Sequence, residues 1–294
     1  MIPAFVNPTA GNAPEVSAAL RGAGCFRVVP VSADEVTEAV SAAVHDGVHR
    51  VAAVGGDGTI SAAAAAIAGR NVDLVVVPAG KFNHFARDNG IPLGLNDACA
   101  IAASPRVRHV DVASVNGRLF LNTSSAGLYT NYLKVREQLE SRIGYWPASA
   151  IAMARTFARV RPFSLRFESD ILDRPYETPL AFIGVGEREL KLPKLGGRIE
   201  GGRSGLHVLI VRGGTRARLL ALALAAAARG TRAVSRTPHV DSFLVDRCTI
   251  EQRHASVSVD GEIVRIAPPL NYEILRGALR VVLPSNGRHL DGSP

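Results

Sequence analysis

Apolar runs and helix-spaced segments alternate through the first hundred residues, and the pattern changes near residue 110. Pro3–Asn7 is a short apolar run ending in NPTAG, followed by a helix with Pro14 in its first turn. Phe26–Val31 is apolar, Ala33–Val44 has helical spacing, and Arg50–Val54 is apolar again. The sequence VDLVVV at 72–77 is continuously apolar and β-branched, as expected of a strand buried on both faces of a parallel sheet. Strand-helix alternation of this kind predicts an α/β layer. From about residue 110, HVDVASVNGRLFLNTS alternates around Asn116-Gly117, a two-residue hairpin signal. A helical stretch over about Tyr129–Val160, interrupted at Trp146-Pro147, leads into short runs such as FSLRF, PLAFIG, LHVLIV, DSFLV, HASVSV, GEIVRI, NYEIL and LRVVL. Only Arg216–Arg229 breaks these runs with a predicted helix. The expected organisation is an α/β domain over residues 1–112 and a β-rich domain over 113–294.

Composition narrows the class only slightly. The 294 residues are 47% hydrophobic and 20% charged, enough for a sizeable core and ordinary for a soluble chain. No apolar run reaches the roughly 18–20 residues of a membrane span, and Leu219–Ala228 reads as a buried helix. The N-terminus has no signal-peptide pattern. Cys25, Cys99 and Cys248 are scattered, as expected of reduced thiols in a cytosolic protein. The net charge of +8 favours an anionic partner, whether phosphate compound, membrane surface or nucleic acid. With 5% aromatic residues and no recognisable module, nucleic acid is not expected.

The chemistry concentrates in turns at strand ends. Asn7-Pro8-Thr9-Ala10-Gly11, Gly55-Gly56-Asp57-Gly58-Thr59 and Pro78-Ala79-Gly80 should all reach the carboxyl edge of the sheet, where α/β folds bind ligands. Glycines there let backbone amides approach a phosphate, and a helix starting near Thr59 would point its positive end at the same place. A carboxylate beside a polyphosphate needs a cation between them, so Asp57 reads as a Mg²⁺ ligand or water anchor. The alternative is an aspartate that caps the following helix. A dinucleotide fingerprint is excluded because its third glycine position is Ser61. GRIEGGRS at 197–204 fails as a P-loop, since Arg203 replaces the lysine and a strand follows.

VNPTAG at 6–11, GGDGT at 55–59, PAGKFNHFARDNGIP at 78–92, VDVASVNGRLFLNTSSAGLY at 110–129 and VSVDGE at 257–262 together resemble the diacylglycerol kinase catalytic family, which also includes sphingosine kinases. The resemblance spans nearly the whole chain. It implies a nucleotide-binding α/β domain followed by a β-sandwich-like domain, with the active site in the cleft between them. It also implies Mg²⁺-dependent transfer of the ATP γ-phosphate to a lipid hydroxyl. Carried over, Asn7, Thr9 and Gly11 contact the nucleotide, and Gly55, Gly56, Asp57, Gly58 and Thr59 form the phosphate loop, with Asp57 tied to the metal through water. Gly80 and Lys81 belong to the neighbouring phosphate turn. Glu262 is the implied proton acceptor, and Asp260, two residues away on a presumed strand, is expected on the same face to orient the hydroxyl. The alternative for both acids is a solvated Asp-Gly turn between strands.

Several positions depart from the family pattern. Lys81 and His84 stand where it has threonine and aspartate, Ser61-Ala62 where it has Asn-Glu, Asn12 where a lysine is frequent, and Ser204 where an acid is expected. These departures keep two alternatives open: a kinase for a soluble hydroxyl compound, as in NAD kinases, and a non-catalytic nucleotide or lipid sensor. A lipid acceptor implies a cytoplasmic protein working at an anionic membrane surface. Trp146, Ala150, Met153, Phe157 and Val160 share one helical face with Arg155 and Arg159 roughly opposite. That stripe reads as the face packed on the protein's own core, with an interfacial helix as the alternative.

Overall fold

The computed structural model describes residues 1–8, 13–191, 194–199, 201–212, 240–253 and 255–285. The helix expected at Arg216–Arg229 and the run Leu219–Ala228 lie outside the described residues. The chain divides into two compact units, Met1–Val112 with the residues from Leu275 onward, and Ala113–Ile274. The return of the chain to the first unit after residue 274 is absent from a linear division at 112.

The first unit follows the strand-helix alternation. Its elements are β1 (Ile2–Val6), α1 (Ala13–Ala23), β2 (Phe26–Pro30), α2 (Val36–His45), β3 (Arg50–Gly55), α3 (Asp57–Ile67), β4 (Asp73–Pro78), α4 (His84–Asp88), α5 (Leu95–Ala100) and the start of β5 (Val107–Val115). All six residues of β4 are buried, as are residues 51–55 of β3, so apolar side chains leave both sheet faces without alternation. α1 packs with α5 and α2 with α3. The strand order is β2-β1-β3-β4, continued by β18 (Leu270–Val282), and the pairs β1-β2, β1-β3, β3-β4 and β4-β18 are parallel. Because β1 connects outward to β2 on one side and neighbours β3 on the other, the strand order reverses between β1 and β3. Ligands of open α/β sheets bind at the carboxyl end of such a point.

The amino end of the sheet is stapled electrostatically. Asp73 at the start of β4 accepts from Arg50 at 2.9 Å and from Arg280 of β18 at 2.8 Å. Arg50 also donates to the carbonyls of Ala102 and Ser104. Burial pushes the Asp73 carboxyl up, but hydrogen bonds and charge from Arg50 and Arg280 outweigh it and leave the group below the ordinary carboxylate range.

The second unit is a β-sandwich with a helical hairpin. Its strands are the end of β5, β6 (Arg118–Phe120), β7 (Thr123–Gly127), β8 (Phe163–Ser169), β9 (Asp173–Thr178), β10 (Leu180–Val185), β11 (Arg188–Lys191), β12 (Lys194–Arg198), β13 (Leu206–Val211), β14 (Val240–Val245), β15 (Arg247–Gln252), β16 (Ser256–Val259), β17 (Glu262–Arg265) and the start of β18. One antiparallel sheet runs β14-β13-β10-β7-β16-β17, and β9, β8, β15 and the start of β18 pair in sequence in another layer. Phe167, Tyr176, Ile250 and Tyr272 from that layer meet Ile183, Val208, Ile210 and Val257 from the first in a single apolar core. The Asn116-Gly117 turn has positive φ at both residues, 46° and 81°, as a type I′ hairpin requires. NYEIL and LRVVL, two apolar runs in the sequence, are parts of the single strand β18, with Gly277 at φ 58° between them.

The helical stretch between β7 and β8 departs from expectation in two ways. It breaks at Gly144, not at Trp146-Pro147, giving α6 (Leu128–Ile143) and α7 (Tyr145–Ala158). Gly144 takes φ 78°, while Pro147 falls in the first turn of α7, where a missing N–H leaves no bond unmade. The stripe expected to pack on the core also faces the other way. Ala148, Ala152 and Thr156 form the buried face of α7, whereas Trp146 is 79% and Met153 43% exposed.

Candidate active site

Two glycine turns at the carboxyl edge of the first unit are built against each other. β3 ends at Gly55, Gly56 caps the N-terminus of α3 in an extended conformation, and no side chain among the described residues caps this helix. The first amides of an eleven-residue helix are therefore left for another acceptor. β4 ends at Pro78, paired in register with Gly55, and the Ala79 amide donates to the Gly55 carbonyl at 2.9 Å. A methyl group on Gly80 would lie 2.5 Å from the Gly56 Cα, so the two turns touch backbone to backbone. Thr59 packs its side chain against Gly55, where a Cβ would come within 2.6 Å of the Thr59 hydroxyl. Gly56, Asp57, Gly58, Thr59 and Gly80 thus come together as the spacing predicts.

Asn83, which the sequence reading passed over, closes the second turn. It adopts the left-handed conformation at φ 53°, accepts from the Gly80 amide at 3.0 Å and donates to the Gly80 carbonyl at 2.9 Å. An asparagine three residues after a turn glycine was the available signal, since asparagine tolerates this conformation and bonds locally. Asp57 then joins the two turns: its Oδ1 accepts from the Phe85 amide in the first turn of α4 at 3.1 Å. It caps α4 across space and leaves its own helix uncapped. Its other carboxylate oxygen has no hydrogen-bond partner among the described residues.

Lys81 is exposed, with its ammonium 5.7 Å from the Phe82 ring centre, and that ring stacks on His84 at 5.6 Å. His84 is the exposed first residue of α4. Asn7 follows the last residue of β1, at the switch point. Thr9, Gly11 and Asn12 lie outside the described residues.

The acids of the second unit separate into two roles. Asp260 and Gly261 are not strand residues but a two-residue turn between β16 and β17, with φ of 47° and 86°. The same-face argument for Asp260 and Glu262 therefore fails; Glu262 is paired with Val259 across the hairpin. Asp260 faces the chain before β7. Its Oδ2 accepts from the Leu121 amide, and its Oδ1 from the amides of Asn122 and Thr123, at 2.8–3.1 Å. With both oxygens engaged by backbone, Asp260 is a clamp on the turn that leads into β7. Glu262 is open, its side chain 61% exposed, with Arg118 at 3.4 Å. Arg118 was not singled out from the sequence, because its partner lies 144 positions away.

No group of three or more His, Cys, Asp or Glu able to hold a metal occurs among the described residues. A cation held directly by a cage of side chains does not fit here. A cation that keeps its own waters and leans on one carboxylate oxygen, as Mg²⁺ does with phosphates, fits Asp57. A groove of about 760 Å³ in the second unit, lined in part by Asn116, Glu168, Arg247 and Glu273, contains none of the candidate residues. Cys99 and Cys248 are buried and free, and burial pushes the Cys248 thiol up to about 12, so neither is a nucleophile for this chemistry.

Comparison with known proteins agrees with these motifs. A protein from Xanthomonas oryzae pv. oryzae named "Probable lipid kinase YegS-like" is 33% identical over 158 residues, 50% of either chain. Its counterpart from Pseudomonas syringae pv. syringae is 38% identical over 98 residues, 32% of either chain. The match thus spans half the length of the first relative and less of the second. A solved structure from Bacillus anthracis str. Sterne covers 96% of this chain and 97% of its own at TM-score 0.74 and 21% identity. Another from that organism, described as a diacylglycerol kinase, gives TM-score 0.66 at 18% identity, covering 96% of each chain. These two establish the two-part fold. Residues 2–115 match the family model "Diacylglycerol kinase catalytic domain", so this part of the chain is similar to that family.

Proposed function

We propose that the protein is an ATP- and Mg²⁺-dependent lipid kinase that transfers the γ-phosphate of ATP to a lipid hydroxyl such as that of diacylglycerol. The observation that carries this is the pair of touching glycine turns beside the α3 N-terminus, with one oxygen of Asp57 unengaged among the described residues. Phosphoryl transfer depends mainly on positioning and charge neutralisation, and this edge of the sheet is suited to both. The amides at Gly56–Thr59 hold phosphate oxygens, Asn7 and the neighbouring segment with Thr9 and Gly11 meet the nucleotide, and Lys81 supplies a mobile positive charge. Asp57 would hold Mg²⁺ through water, and the cation would supply charge neutralisation beside the triphosphate. Glu262, exposed beside Arg118, takes the proton of the acceptor hydroxyl, while Asp260 fixes the turn that presents it. The lipid acceptor is met at an anionic membrane surface from the cytoplasmic side.

The test is incubation with labelled ATP, Mg²⁺ and diacylglycerol in mixed micelles, with NAD as a rival acceptor. Label in phosphatidic acid is the expected result. Label in NADP alone assigns the chain to soluble acceptors. ATP binding without labelling of any acceptor, across a lipid panel, assigns it to sensing.

A further inference from the structure

The outward face of α7 is apolar where a surface helix in water is polar. The ten residues from Tyr145 to Ala154 carry no charge, and Arg155 is the only charged residue of the helix. With Ala148, Ala152 and Thr156 turned inward, Trp146, Pro147, Ala150, Met153 and Ala154 form the exposed side, joined by Ile151 and by Ile143 at the end of α6. Exposed large apolar side chains gathered on one element mark an interaction surface. Arg142, Arg155, Arg159 and Arg161 flank this patch along the chain, all exposed, and none has an acidic partner among the described residues. An apolar face flanked by unneutralised arginines is complementary to one kind of surface, an anionic bilayer, which offers acyl chains inside and phosphates at the rim. A second copy of this chain would bring the same positive charges against themselves. α7 packs on α6, and α6 packs on β7, β16 and β17, the hairpin that carries Glu262.

We propose that α7 is a membrane-docking helix, seated in the interface of anionic lipid with Trp146 and Met153 among the acyl chains and the arginines at the headgroups. This rests on the lipid-kinase reading for its purpose but not for its test, which needs neither ATP nor acceptor. Trp146 is the only tryptophan in the chain, so intrinsic emission reports on this helix alone. On titration with vesicles of phosphatidylcholine containing phosphatidylglycerol, the emission should shift to shorter wavelength and be quenched by brominated acyl chains. Vesicles of phosphatidylcholine alone should bind more weakly. Replacing Arg155 and Arg159 with glutamine should cost about fivefold in vesicle affinity per arginine. A150E/M153E, at exposed positions and checked for folding by circular dichroism, should reduce co-sedimentation at least about tenfold.

Water-like emission at saturating vesicle, or a double-glutamate variant that sediments like the parent, would overturn the proposal. So would a lipid-independent emission shift that grows with protein concentration, which identifies a second copy as the occupant. A water-soluble short-chain diacylglycerol separates the two levels. Its phosphorylation without vesicle binding removes the docking helix and keeps the kinase. Vesicle binding with no acceptor labelled does the reverse.

Discussion

The chain uses an Asp-Gly pair twice, at 57–58 and at 260–261, and the two aspartates do different work. Asp57 stands at the first residue of α3 and gives one oxygen to the Phe85 amide, leaving the other without a hydrogen-bond partner among the described residues. Asp260 stands in a hairpin turn and gives both oxygens to three consecutive amides. One carboxylate ties the two glycine turns together through a single oxygen; the other is saturated by backbone. In the second unit the open acid is Glu262, placed by Asp260 but not duplicated by it. Remaining hydrogen-bond capacity, more than residue type or motif, separates a group able to act on a ligand from one that holds the fold.

The largest expected effect tests the open acid. Glu262→Gln should lower turnover by about 10²–10⁴-fold with an unchanged melting temperature, since an exposed ion pair to Arg118 contributes little to stability. Wild-type turnover in this variant would remove Glu262 from the chemistry. Asp57→Asn keeps the oxygen that caps α4 and deletes the charge. A loss of roughly 10²-fold in kcat, with a shifted Mg²⁺ dependence and intact folding, would sharpen the contrast. Loss of folding instead would make Asp57 a second clamp.

Asp260→Ala should show the opposite balance. Three amides lose their acceptor, so a destabilisation of about 3 kcal/mol is expected, measured by urea unfolding. Turnover should fall together with the folded fraction, because the turn that presents Glu262 is held by Asp260. A stable but inactive Asp260→Ala would move this residue from clamp to chemistry.

A smaller effect concerns a carboxylate wholly outside the site. The depressed Asp73 carboxyl contributes stability that is complete above the unfolded value of about 3.9 and is lost as pH falls through its lower folded value. Asp73→Asn should therefore unfold more readily at neutral pH by about 1–3 kcal/mol and converge on the parent only once pH has fallen through the lower folded value. Convergence that fails to occur in acid would mean that its ion pairs with Arg50 and Arg280 are not what the charge supports.

The sequence made the layer and the turns readable and left their contacts unreadable. β-branched runs such as 72–77 and the Asn116-Gly117 pair act through local sterics, so pattern alone located them. The contact of Gly56 with Gly80 joins positions 24 apart through sheet pairing, and no local signal encodes it. In VSVDGE, strand alternation was extended through two residues that the Asp-Gly turn removes from the strand, which put Asp260 on the wrong face. For α7, helical periodicity separated two faces correctly but not which one is wet. Small Ala148 and Ala152 let α7 lie close on its neighbours, and that shape criterion outweighed the size of Trp146 and Met153.

β18 carries one more consequence, for the order in which the protein can be completed during synthesis. The outer edge of β4 receives its parallel neighbour, and Asp73 its second arginine, only from residues near 280. A ribosome that has released the first 112 residues has therefore not yet supplied the parts that finish their sheet. The nascent amino-terminal lobe must wait for the residues near 280, with an open strand edge that chaperones are suited to cover.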